Sequence, residues 1–205
     1  MAGRRAETTE ANRTRLIAAA RAAFAAHGFA GASMDELTAA AGLTRGALYH
    51  GFGDKKGLLA AVVAQVDGEM ASRARAAASA ARDDWDALLA EAAAYIEMAL
   101  DPEVRRIVLL DGPAVLGDPS RWPSQNACLA ETRATVARLV AAGTMRAVDV
   151  EAAARLLSGA ALNAALWVAA SEEPDVALPR ALDAFALMAE GLRARCPPPP
   201  ADPAL

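Results

Sequence analysis

The sequence is poor in the residues that carry most enzyme and metal chemistry. Its 205 residues include 2 histidines and 2 cysteines, and aromatics make up only 4%. Cys128 and Cys196 have no metal-ligand spacing and read as free thiols in a reducing compartment, not as a disulfide framework. No nucleophile elbow, H-E-x-x-H pair or Walker lysine occurs. Gly51, Gly53 and Gly57 form a G-x-G-like string, but it follows a helical pattern where a dinucleotide site needs a strand. The expectation is therefore no catalytic residues, no metal, no cofactor and no enzymatic activity. No window is apolar over the length of a membrane span, and no charged-then-apolar leader opens the chain, so a soluble cytoplasmic protein with no membrane partner is expected. Alternating β-type runs are missing too, which leaves an all-α reading.

Charge is present but unevenly placed. The net charge of −4 argues against a polyanionic partner for the chain as a whole. Residues 1–60, however, hold 8 Lys+Arg and 5 Asp+Glu, which is +3, whereas the remainder holds 13 and 20, which is −7. A basic end on an acidic body suits a protein that meets DNA by one end only.

That basic end contains the most informative stretch, residues 33–57, SMDELTAAAGLTRGALYHGFGDKKG. Ser33 and Glu36 form an S-x-x-E capping box, in which each side chain satisfies a free backbone N–H at the other's position. Leu37, Ala40 and Ala41 share one face, and Gly42 stops the helix because glycine adopts positive φ cheaply. Leu43 plugs the turn, and Thr44 caps a second helix starting at Arg45. Two short helices about a Gly-led turn match a helix-turn-helix, whose second helix enters the major groove. On that helix Leu48 and Phe52 pack inward, leaving Thr44, Arg45, Gly46, Tyr49 and His50 outward. Arg45 can fork onto a guanine edge, Tyr49 and His50 can donate to phosphates, and Gly46 permits close backbone approach. Lys55 and Lys56 open the next helix, where cations are mildly unfavourable unless a phosphate lies nearby. The DNA-binding set is thus Ser33, Thr44, Arg45, Gly46, Tyr49, His50, Lys55 and Lys56.

Along the chain, residues 1–10 are polar and aperiodic and read as a disordered tail, with Arg4 and Arg5 able to reach DNA as an arm. Residues 11–58 read as the helix-turn-helix domain, 59–196 as a helical regulatory and dimerisation domain, and 197–205 as a disordered proline-rich tail. A first helix at 11–27 ends at Gly28. A connector helix runs from Asp54 or Lys55 to about residue 80 and spans both domains. Further helices are expected at about 84–100, 103–111, 123–142, 149–171 and 179–195, with prolines at the boundaries. The 149–171 helix is apolar almost all round and must bury more than one face. Its small residues Gly159, Ala160 and Ala164 allow a second helix close. With the last helix it would build a four-helix interface across a two-fold axis.

Polar residues embedded in the apolar helices suggest a small-molecule pocket. The candidate ligand-binding residues are Trp85, Tyr95, Met98, Asp111, Trp122, Asn163 and Trp167, with Cys128 and Ser158 as further embedded polar groups. Each also fits as a satisfied core residue, Asn163 fits a dimer interface, and Asp111-Gly112-Pro113 also reads as a helix stop.

Residues 13–59 resemble the DNA-binding domain of the tetracycline-repressor family of bacterial regulators. The matching residues are Arg15-Leu16-Ile17, Ala20, Phe24, Gly28-Phe29, Ser33 to Leu37, Ala41 to Thr44, Gly46 to His50, Phe52, Lys55 and Leu58-Leu59. Gly51 and Lys56 depart from it, standing where an aromatic or polar residue and an acidic residue are usual. Asp111 to Gly117 is similar to one branch of the family's C-terminal domains. The resemblance implies a homodimeric regulator, a repressor of a palindromic operator in double-stranded DNA, released by an unknown small apolar effector in the helical domain. The alternative from the residues alone is a helical small-molecule-binding or hydrolytic protein with an unused helix-turn-helix.

Overall fold

The computed structural model describes residues 2–194, and of residues 2–6 and 124 the backbone only. The 197–205 tail and Cys196 lie outside the described residues. The helices are α1 (Ala2–Gly31), α2 (Met34–Ala40), α3 (Arg45–Phe52), α4 (Lys55–Ser79), α5 (Asp84–Glu97), α6 (Pro102–Val104), α7 (Gly112–Leu116), α8 (Pro123–Ala141), α9 (Val150–Ala170) and α10 (Pro174–Glu190). Short 3-10 turns follow α5 and precede α8, and a π-helical segment, Arg105–Asp111, joins α6 to α7. The described residues contain no strand, only one antiparallel bridge between Met145 and Arg193.

Local chemistry sets the ends of α2, α3 and α4. The capping box forms: Ser33 Oγ accepts from the Glu36 N–H at 3.2 Å, and Glu36 Oε2 accepts from the Ser33 N–H at 3.4 Å. Gly42 then turns the chain at φ 60°. Thr44 Oγ1 accepts from Ala47 N–H and Asp54 Oδ1 from Gly57 N–H, capping α3 and α4. Gly57 is required there, because a Cβ at this position would lie 2.0 Å from the Phe52 carbonyl oxygen. Gly51 does not shorten α3, which runs through Phe52.

The structure corrects several expectations. Residues 2–10 are helical and continue α1, where a disordered tail is expected. Residues 7–11 are exposed on every face, so no apolar stripe marks this helix in the sequence. Gly28, at φ 70° and ψ 172°, kinks the chain at the expected end of the first helix. The helical path expected to stop at residue 111 continues to Leu116. Pro113 lacks the N–H that would bond the Leu109 carbonyl and crowds that oxygen, so the turn upstream widens into the π segment. The last helix begins at Pro174, not 179. Pro174 sits in its first turn, where a missing N–H costs nothing, while Pro179 lies inside. Burial of Ala177 on the core holds that first turn in place. By length and composition α9 could cross a membrane, contrary to the reading that no window reaches that length. It packs between α8, α5 and α10.

Helix α4 joins the two halves. Leu58, Leu59, Val62 and Val63 are buried toward α1 and α3, and Val66, Met70 and Ala74 toward α5 and α8. The boundary drawn at residue 58 thus falls inside a continuous helix. A second joint links α1 to the body. Arg21 forks onto Glu69 of α4 at 2.7 and 2.8 Å and onto Glu103 of α6 at 2.7 Å. The Phe29 N–H donates to Asp111 Oδ2 at 2.7 Å, and the Arg106 guanidinium lies over Gly28.

The Arg21 hydrogen bonds hold the Glu69 carboxyl below its ordinary value of 4.5. A depressed acid contributes stability above its unfolded pKa and loses it as pH falls through the folded pKa. Arg21→Met should therefore cost roughly 1–2 kcal/mol at pH 7, discounted because both carboxylates keep contact with water. Urea unfolding of both chains should show that gap constant down to about pH 5 and closing in stronger acid.

Candidate nucleic-acid interface and ligand cavity

Thr44, Arg45, Gly46, Tyr49 and His50 are all exposed along one side of α3, and Leu48 is fully buried beneath them. Tyr49 is 53% exposed, a large aromatic left half open to solvent. Arg45 makes a bidentate pair with Asp35 of α2, with Nε to Oδ1 at 2.6 Å and Nη2 to Oδ2 at 2.5 Å. That pair holds the Asp35 carboxyl below its usual range and the guanidinium above its own. Lys55 and Lys56, the only lysines in the sequence, sit side by side at the start of α4. The Lys55 ammonium lies 4.6 Å from the Phe29 ring centroid, which orients it without neutralising it. On the other side of α3, Arg13 stacks over Phe52 at 4.7 Å and donates to the Gly51 carbonyl. Ser33 is exposed at the start of α2, its hydroxyl engaged in the capping box.

The body holds a cavity of about 60 Å³ between α4, α5, α8, α9 and α10. Its walls are largely apolar: Ala71, Ala74, Leu88, Ala92, Leu157, Ala161 and Phe185. The polar lining is Glu91, Tyr95, Gln125, Cys128, Thr132 and Ser158. Gln125 Nε2 lies 3.2 Å from the Tyr95 hydroxyl and 3.4 Å from Oδ1 of Asp67, which is 1% exposed on α4. Ser158 Oγ donates to Thr132 Oγ1 at 3.2 Å. Burial, reinforced by the Asp67 charge, raises the Tyr95 phenol and pushes the Cys128 thiol up to about 11. Burial likewise raises Glu91, with the neighbouring Glu131 adding to it.

Of the expected ligand-binding residues, Tyr95 alone lines this cavity. Trp85 is buried in the core under Arg193, whose guanidinium is 5.1 Å from its ring. Met98 packs in the 3-10 turn after α5. Asp111 faces the DNA-binding module and holds Phe29. Trp122 packs on Gly112, where a Cβ would sit 2.7 Å from the ring. Asn163 and Trp167 are exposed, so Asn163 has no buried amide to satisfy. The buried stripe of α9 runs through Ala154, Leu157, Ala161, Ala165 and Val168, which turns position 163 away from the core. Sequence reasoning missed Asp67, Glu91, Gln125 and Thr132. Asp67 had a signal, since it shares the buried α4 face with Val63, Val66 and Met70.

Comparison with known proteins places this geometry. Residues 16–62 match the model for bacterial regulatory proteins of the tetR family, and residues 85–192 match a tetracyclin repressor-like C-terminal domain. A TetR-family transcriptional regulator from Pectobacterium atrosepticum has a similar structure, with a TM-score of 0.85 and 44% identity, over 92% of this chain and 97% of that one. The chain belongs to the tetracycline-repressor family. It is a TetR-family transcriptional regulator, with the family's two-part all-α architecture. The HTH-type transcriptional repressor AcnR of Corynebacterium glutamicum is 40% identical over 60 residues, 29% of this chain. The chain spans 32% of the length of that curated relative. RolR, solved with resorcinol, shares the TetR fold at TM-score 0.67 and 19% identity, over 94% of this chain and 98% of that one.

The Cys128 thiol gives a direct probe of the cavity. With a pKa of about 11, roughly one thiol in a thousand is ionised at pH 8. In a Cys196→Ser chain, iodoacetamide should modify Cys128 at under about a tenth of the rate seen in urea, with the rate rising steeply to pH 10. Labelling as fast as in the unfolded chain would mean that the thiol is open to water.

Proposed function

We propose that this TetR-family regulator is a homodimeric cytoplasmic repressor that binds a palindromic operator and releases it when a small effector fills the cavity. The observation that carries this reading is the placement of α4. Its N-terminus bears Lys55 and Lys56 beside α3, and Ala71 and Ala74 of the same helix line the cavity wall. Thr44, Arg45, Gly46, Tyr49 and His50 take the groove, with Ser33, Lys55 and Lys56 on the flanking phosphates. An effector that binds one α4 position better than the other shifts the population, and the two recognition helices then lose the half-site spacing of about 34–36 Å.

The largely apolar walls suit a compact, mostly apolar molecule, and at about 60 Å³ the cavity must widen to take even a single aromatic ring. Glu91 in the wall and Asp67 behind Gln125 disfavour a carboxylate and favour a neutral or cationic ligand that donates hydrogen bonds.

The dimer surface is the outer face of α9 and α10. Leu156 (72% exposed), Trp167 (45%), Leu187 (75%) and Met188 (45%) lie there with Gly159 and Asn163 beside them. Large apolar side chains grouped on adjacent helices mark a face that a partner covers. A second copy covers it in an isologous contact and pairs the recognition helices.

The experiment is operator binding by the full chain, using duplexes selected from its source genome. Affinity should fall steeply with added salt as counterions are released. Trp167→Glu leaves the monomer's own core untouched, yet should sediment as a monomer at micromolar concentration and lose operator binding by about a hundredfold or more. A monomeric wild-type chain, or a Trp167→Glu chain that still dimerises and binds, would overturn the paired-groove mechanism.

A further inference from the structure

The pair formed by Arg45 and Asp35 does more than join two helices. A guanidinium offers two forks: Nε with one Nη2 hydrogen, and Nη1 with the other. Asp35 fully occupies the first, at 2.6 and 2.5 Å. Among the described residues Arg45 makes no other hydrogen bond, and its side chain is 56% exposed. The second fork, Nη1 with Nη2, therefore points away from Asp35 and remains open. Guanine O6 and N7 accept such a fork. Arg45 is the first residue of α3, the part of a recognition helix that reaches base edges.

Three simpler roles for Asp35 fit less well. As a stabilising ion pair it is poorly placed, because both partners are exposed, at 56% and 72%, and such pairs add little. As an acid in the first turn of α2 it is redundant with Glu36, which already completes the capping box. As part of a phosphate-binding surface it is counterproductive, since a carboxylate beside the DNA repels the backbone and cancels the arginine's charge. A fixed side-on carboxylate does accomplish one thing well. It removes the rotamer freedom of a long flexible side chain before DNA arrives, which preorganises the free fork.

We propose that Asp35 is a positioning residue for sequence reading, aiming Arg45 at a guanine in each half-site. This rests on the DNA-binding reading above. Its consequence has the opposite sign to simple electrostatics. Removing a negative charge from a DNA-facing surface should tighten binding to every sequence, whereas loss of aim should weaken binding to the right one.

The test uses full-length protein and duplexes randomised over about three helical turns, from which wild type selects a preferred sequence. Binding to that duplex and to a scrambled one of equal composition is then measured for wild type, Asp35→Ala, Asp35→Asn, Arg45→Ala and the double variant. Asp35→Ala should hold the scrambled duplex more tightly and the selected duplex less tightly, so that discrimination falls about tenfold. The base preference that it loses should be the one lost in Arg45→Ala. In the Arg45→Ala background, removing Asp35 should lower discrimination no further. Asp35→Asn, which keeps the shape and one acceptor, should fall between. Discrimination unchanged in Asp35→Ala, with both duplexes bound more tightly, would overturn the proposal in favour of plain charge repulsion. A proportional loss on both duplexes with a lower melting temperature would overturn it in favour of a helix-end role. A wild-type chain that enriches no sequence would remove the DNA-binding reading and this proposal with it.

Discussion

One continuous helix serves two hydrophobic cores, and most of the architecture follows from that constraint. The first turns of α4 cannot move without disturbing Leu16, Phe24 and Leu48, which are fully buried around Leu58 and Leu59. Its later turns cannot move without repacking against Trp85, Leu88 and Ile96. Twenty-five residues at about 1.5 Å each make a rod of roughly 37 Å, stiffened by its own hydrogen bonds. A rod held at both ends carries a displacement from one core to the other, because packed interiors deform little.

The polar groups along the rod are placed where that displacement would act. Asp67 is a carboxylate buried mid-helix, tied through Gln125 to Tyr95 at the cavity. Burying such a group is expensive unless hydrogen bonds compensate, and Gln125 is one of the groups that do so for Asp67 while also reaching Tyr95 at the cavity. Two residues on from it, Glu69 is clamped by Arg21 of α1, which also holds Glu103. The π segment then meets the kink at Gly28 within α1 through Asp111 and Arg106. The DNA-binding module is thus held to the body by α4 and by a polar joint on α1. Water-exposed ion pairs can rearrange at little cost where a packed core cannot.

Much of the fold was legible because its punctuation is local. Capping residues and positive-φ glycines act within one or two turns, so Ser33, Gly42, Thr44 and Asp54 mark helix ends without knowledge of the rest. Outward residues on α3 were legible for the same reason, since Leu48 alone sets its buried side. The cavity was not, because it is assembled from five helices far apart in sequence. Bulky aromatics proved poor markers: Trp85 and Trp122 fill core, and each buries an indole N–H that has no partner among the described residues. Asn163 misled because α9 looks apolar all round, yet one apolar face of it lies open in the single chain. The informative sign was an acid on an apolar stripe, Asp67, and at helical spacing it could be read from sequence alone.

The central claim is that filling the cavity weakens operator binding through α4, and a substitution can stand in for the unknown effector. Ala161, 8% exposed on α9, lines the cavity. Methionine there is flexible enough to occupy the space without forcing the helices apart. The decisive measurement is the affinity of full-length Ala161→Met for the duplex selected by wild type, with slower Cys128 alkylation showing that the cavity is filled. The account predicts operator affinity lower by about tenfold or more, with dimerisation and binding to scrambled DNA unchanged. Operator affinity equal to wild type in a chain whose cavity is filled would contradict it.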